Sequence, residues 1–238
     1  MRNFAGNPSH SEACRLLCSV FAAFATVTLA GVGSASAGAL DDAVLQELNF
    51  ARLHPQEYAR LLQIGPASSW QVARSARGDK DPEAYAQAIA FLMRQPPLPP
   101  LRPDEKLAAA AREHVAAQGP AGKVGHEGQA GERFDDRLRR HGVQAGTLAE
   151  NIAYGPSTPS DIVRELIIDS GVPDRGHRRN IFYETFDAAG VSCGPHRDYA
   201  TMCVIDFASE RDAAGREPSG LASNGRTEGG LARFLAGR

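Results

Sequence analysis

Little net charge distinguishes this chain: 26 Lys and Arg stand against 28 Asp and Glu, a formal balance of −2. Without a basic stripe there is no electrostatic footprint for nucleic acid or an anionic membrane, and neither is expected as a partner. Gly-x-Ser-x-Gly is absent, so no nucleophile-elbow serine is present. Phosphate-cradling glycine loops and Cys-x-x-Cys are also missing, which removes nucleotide-binding and dithiol redox readings. His126-Glu127 opens as a helical zinc-protease motif does, but Ala130 stands where the second His is required and Gly128 breaks the helix. There is no internal repeat. Hydrophobic residues at 42% and charged residues at 23% are ordinary for a globular chain, and 238 residues are enough to bury one real core.

The N-terminus is more informative. Leu16 to Val32 is apolar apart from Ser and Thr, follows Arg2 and Arg15, and leads to Ala35-Ser36-Ala37. That is the layout of a secretory signal cleaved near Ala37, so residues 1–37 are expected to leave the mature chain. An uncleaved anchor is the alternative, since about 17 apolar residues approach a bilayer's thickness. A lipoprotein reading at Cys18 is weakened by the bulky Leu17 before it, and no twin-Arg pair occurs in this segment. No transmembrane segment is expected after cleavage. Export places the protein outside the cytoplasm, secreted or periplasmic, and a monomer is expected.

Of four cysteines, Cys14 and Cys18 lie in the leader. Cys193 and Cys203 remain, on two strands joined by a turn near Pro195 to Asp198. In an exported chain this pair is expected to be a disulfide, with two buried thiols as the alternative.

Periodicity predicts a helix over 40–64, opened by Asp41 and Asp42 as caps and kinked or restarted at Pro55. Further helices are expected over 82–94, with Pro at its first turn, and over 104–118, 131–141 and 160–170. Strands follow over 188–193 and 199–207. Residues 209–238 turn polar and read as a flexible tail, with at most a weak helix over 231–235. Helices first and antiparallel strands last argue for an α+β fold occupying residues 38–208.

Three glycine-bordered islands carry the candidate chemistry: Lys123 to Gly131 around His126, Leu148 to Gly155 around Glu150, and Asp169 to Phe182 around His177. All three read as loop-like segments, where functional groups are often placed. The other histidines read as surface or capping residues: His54 at a kink, His114 on an exposed helix, His141 at a helix end and His196 in a hairpin turn. Arg175, Arg178 and Arg179 read as solvated charges that could bind an anionic group, and Asn180 as a partner for local backbone.

In order and spacing, the islands resemble the CAP superfamily (cysteine-rich secretory, antigen 5 and pathogenesis-related proteins), particularly bacterial SCP-domain proteins. LAENIAYG is similar to one family signature and GHRRNIF to another. The resemblance implies a three-layer α-β-α sandwich with a small antiparallel sheet and a cleft of two histidines and two acids. Carried over by position, these are His126, Glu150, His177 and, three residues beyond Leu166, Asp169, with Glu165 held in reserve. Two imidazoles with carboxylates form an N/O donor set suited to Zn²⁺. Zinc is therefore the one cofactor to consider.

Three functions follow from this reading. The first is a non-enzymatic module that uses the cleft to bind a small ligand, lipid or envelope protein. The second is a metal-dependent hydrolase using His126, Glu150, Asp169 and His177. The third is a structural or interaction protein whose cluster only stabilises the fold.

Overall fold

The computed structural model describes residues 32–64 and 81–210. The leader up to residue 31, the irregular stretch over 65–80 and the tail over 211–238 lie outside the described residues.

The first helix, α1 (Val32–Leu53), gives way at His54 to α2 (Pro55–Ile64). Proline has no N–H to continue the ladder and begins the second helix instead. Because α1 begins at Val32, Asp41 lies inside it and is not the expected cap. Its Oδ1 accepts the Cys193 backbone N–H at 2.7 Å, and burial raises its carboxyl to about 6. Helix α3 (Pro82–Arg94) starts on Asp81, which accepts from the Ala84 N–H, and α4 (Glu105–Gln118) starts on Asp104 in the same manner. Then come α5 (Phe134–Arg140), α6 (Pro159–Ile168), capped by Thr158, and α7 (Gly176–Ile181).

Four strands form one sheet in the order β1-β3-β4-β2. They are β1 (Arg102–Pro103), β2 (Ala145–Tyr154), β3 (Ala188–His196) and β4 (Ala200–Glu210). Two expectations change here. LAENIAYG is not a loop but most of β2, paired antiparallel to β4; residues 149–153 are buried on both faces, and their small and polar types hide the strand. The sheet is mixed, because the two-residue β1 runs parallel to β3. Strand β4 also continues through Glu210, past the expected tail boundary at 209.

Strand alternation builds three layers. Ala149, Ala153, Val191, Ile205 and Phe207 face a core made with α1, α2, α3, α6 and α7. Ile152, Met202, Val204, Ala188 and Ala208 face α4 and α5. The described residues therefore form an α-β-α sandwich.

Cys193 and Cys203 are directly opposed across β3 and β4 and are joined as a disulfide. The bridge closes a hairpin already held by the ladder. Cys203→Ser is expected to lower unfolding free energy by about 2–4 kcal/mol. Urea titration with and without reductant measures this, and a coincident pair of curves would contradict it.

Candidate functional site

Glu150 sits in the middle of β2, and alternation turns it towards α4 and α5. It is 0% exposed. Its Oε1 receives the Nδ1–H of His126 at 2.7 Å, and its Oε2 receives Nη2 of Arg137. Phe134 and Leu138 anchor α5 in the core, which brings Arg137 beneath the strand with 1% exposure. Its Nη1 reaches Nδ1 of His114 at 3.0 Å and the His126 carbonyl at 3.4 Å. His114 is not on an exposed face. It is buried on the inward side of α4, in register with Leu107, Ala110 and Ala111. Its Nε2 donates to the Gly125 carbonyl at 2.9 Å, so Nδ1 is the acceptor for Arg137. Burial holds the His114 pKa below its ordinary value, and the adjacent Arg137 charge acts in the same direction.

The loop carrying His126 is pinned on both sides. The Gly125 N–H donates to the Tyr154 hydroxyl at 2.9 Å, and Gln118 donates to the Glu127 carbonyl at 2.7 Å. Gly125 adopts φ +99°, a conformation that glycine takes without strain. The result is an imidazole fixed at the rim, 16% exposed, over a fully buried carboxylate. Burial alone would raise the Glu150 carboxyl. The His126 hydrogen bond and the Arg137 charge outweigh it and hold the group below the ordinary glutamate value.

A second acid–imidazole pair forms where α6 ends. Asp169 is its C-cap in the left-handed region (φ 58°, ψ 48°). Its Oδ1 receives the His177 Nδ1–H at 2.6 Å, while Oδ2 accepts the backbone N–H groups of His177 and Arg178 at 2.8 and 3.2 Å. The one-methylene-shorter acid thus caps the start of α7 and holds the histidine there. Glu165 contributes its backbone carbonyl to the Asp169 N–H at 2.8 Å. The His177 ring is 10% exposed.

Arg175 and Arg178 are scaffold rather than solvated charge, while Arg179 lies in a surface ion pair. Arg178 is buried and donates to the carbonyls of Ile167, Ile168 and Ala84, closing the end of α6. Arg175 bonds the carbonyls of Asp169 and Val172 and pairs with Asp81, and Arg179 pairs with Asp174. The Asn180 amide donates to Asn151 Oδ1 at 2.8 Å, and Asn151 donates to the His177 carbonyl at 3.0 Å. His196 is buried in its hairpin with Nε2 on the Lys123 carbonyl, which ties that turn to the His126 loop. His141, at the end of α5, pairs with Glu113, and His54 is exposed at the break between α1 and α2.

The zinc expectation can be tested on these contacts. Both oxygens of Glu150 and both of Asp169 are engaged by protein donors. Among the described residues, no three His, Cys, Asp or Glu side chains form a group that could hold a metal ion. The four residues do not fit a shared four-ligand centre. They form two closed acid–imidazole pairs.

Three participants escaped the sequence reading. His114 carried a usable signal, since it continues the apolar spacing of α4. Arg137 lies in a run of charges (RFDDRLRR) that offers no way to tell the inward arginine from its neighbours. Asp206, a lone acid in the apolar run CVIDF, lies directly opposite Glu150 on β4 and is fully buried.

A three-layer sandwich with acid–imidazole pairs on β2 and between α6 and α7 defines a class of protein. The family model of the cysteine-rich secretory protein family, CAP, matches residues 55–207, and the chain belongs to that family. No curated protein matches significantly. Among solved structures, an extracellular SCP-domain protein of Bacillus anthracis is similar at 22% identity and TM-score 0.42, covering 61% of this chain and 45% of its own. An outer surface protein of Borrelia burgdorferi is similar at 16% identity and TM-score 0.40, with 61% and 96% covered. A cysteine-rich secretory protein of Staphylococcus aureus is similar at 15% identity and TM-score 0.36, with 54% and 38% covered. The chain therefore spans less than half the length of the Bacillus and Staphylococcus proteins.

Proposed function

We propose that the protein is an exported, non-enzymatic CAP module that binds a small ligand, a lipid or an envelope component through its two rim imidazoles. One observation carries this reading: each carboxylate is spent inward, on its histidine and on buried donors, while each imidazole keeps only a narrow exposed edge, 16% for His126 and 10% for His177. Every carboxylate oxygen of the two acids already accepts at least one protein donor. The imidazole edges are what a ligand would meet, and their orientation is fixed before binding, which lowers the ordering cost of association. The Cys193–Cys203 disulfide supports export, because such bonds persist in oxidising compartments. Among the described residues, no helix is long and apolar enough to cross a membrane.

Saturation-transfer NMR with fatty acids, lysophospholipids and short peptidoglycan fragments as probes tests the proposal. One class is expected to bind, and His126→Ala and His177→Ala are each expected to weaken it about tenfold, or ~1.4 kcal/mol. Binding by none of the classes, or binding indifferent to both variants, would count against it. The complete burial of Glu150 and Arg137 favours a second role for the same network, in stabilising the fold.

A further inference from the structure

Asp206 stands apart from every other buried acid in the described residues. It is 0% exposed, and neither carboxyl oxygen receives a hydrogen bond from a donor group. Its direct cross-strand partner is Glu150, which lies on the same face of the sheet. Two acids at opposed positions of an antiparallel pair cannot both carry charge without strong repulsion. The surroundings decide which one is ionised. Glu150 takes the donors, with His126 on one oxygen and Arg137 on the other. Arg137 turns its remaining bonds to His114 and to the His126 carbonyl, not to Asp206.

The β3 side of Asp206 supplies no charge. Its partner on β3 is Gly190, against which the α4 backbone at Leu107 and Ala108 closes. The charged groups that face it are Glu150 from β2 and Arg137 from α5. Burial first, and the Glu150 charge second, raise its carboxyl well above the ordinary aspartate value.

We propose that Asp206 is a positioning residue for the His126–Glu150 pair: a neutral carboxyl that donates its O–H to Glu150 and completes a three-donor clamp with His126 and Arg137. A protonated acid satisfies both groups at once, since it is the only form of Asp206 that can donate to a carboxylate. The clamp fixes the Glu150 carboxylate, and through it the plane of the His126 ring. This holds whether or not a ligand binds at His126, and the experiment reads protons rather than ligands.

The linkage has a definite sign. A carboxyl whose folded pKa is raised stabilises the fold most fully below the ordinary aspartate range, and that stability is lost as pH rises through the raised value. The full-length protein, labelled with ¹³C and ¹⁵N, gives two direct readouts. At pH 7 the Asp206 Cγ resonance is expected at its protonated position. Asp206→Asn, whose amide still donates, is expected to keep the His126 Nδ1 resonance in place and to flatten the fall of the thermal midpoint as pH rises above the ordinary aspartate range. Asp206→Leu, which donates nothing, is expected to move the His126 Nδ1 resonance. A Cγ resonance at the carboxylate position at pH 7 overturns the proposal, as does an Asp206→Leu protein whose His126 signal is unmoved. If Asp206→Leu does not fold, the wild-type Cγ signal and the Asp206→Asn profile decide.

Discussion

Arg137→Met is expected to destabilise the protein by about 3–5 kcal/mol, the usual consequence of leaving one member of a buried ion pair alone. Arg137 pairs with Glu150, and both side chains are withdrawn from water. The variant keeps the length and apolar character of the stem, so the loss isolates the charge and its hydrogen bonds. Glu150 would then take up a proton to escape an unpaired buried charge, which also weakens it as an acceptor for His126. The double variant Arg137→Met/Glu150→Met should recover most of the loss, because no charge remains buried. Urea unfolding measures both, and a loss below about 1 kcal/mol for the single variant would place the pair among surface salt bridges.

The second large effect is expected at Gly190. A Cβ at this position would lie 2.0 Å from the Ala108 amide nitrogen and 2.3 Å from the Leu107 carbonyl carbon. Those are backbone atoms of α4, so no rotamer change relieves the clash; the helix must lift from β3. Overpacking by one methyl in a yielding core costs about 1–3 kcal/mol. Gly190→Ala is expected at or above the top of that range, with α4 carrying His114 away from Arg137. Gly146→Ala provides the contrast. Its Cβ would sit 3.5 Å from Ser209 Oγ, an ordinary contact, and a change within about 0.5 kcal/mol is expected. Thermal and urea unfolding of the two variants side by side test the comparison, and equal losses would contradict it.

How much of this was legible in the sequence depends on what each residue's neighbours reveal. The helices over 82–94 and 104–118 were readable because apolar spacing and proline placement are local chemistry. The break at Pro55 was readable for the same reason. Strand β2 was not, because Ala149, Asn151 and Ala153 on its core face lack the β-branched bulk that marks a strand, and the run looks like a glycine-bordered loop. The two-residue β1 exists through pairing to β3 alone and has no local signature. The start of α1 was misplaced by eight residues, since Asp41 resembles a cap and in fact reaches across to the Cys193 N–H.

For the site, residue types and order were enough to nominate His126, Glu150, Asp169 and His177. They could not reveal how those residues divide. That depends on which donors fold over each carboxylate, and the donors come from α5 for Glu150 and from the α7 backbone for Asp169. Arg178 shows the same limit: nothing in GHRRNIF separates a buried arginine that closes α6 from an exposed one. Asp206 becomes meaningful only through the register that sets it opposite Glu150.

The central claim is that each carboxylate is an internal acceptor for its own histidine. A carboxylate accepts and an amide carbonyl accepts, so the geometry dictates ring protonation: Nδ1–H on His126 and His177, and Nε2–H on His114. Long-range ¹H–¹⁵N spectra of the histidine rings in the folded protein near pH 8 report this directly. The account predicts Nδ1 protonated in His126 and His177, with His114 in the opposite tautomer. An unprotonated Nδ1 in His126 or His177 would contradict it, because the acid–imidazole pair of that histidine could not then exist as described.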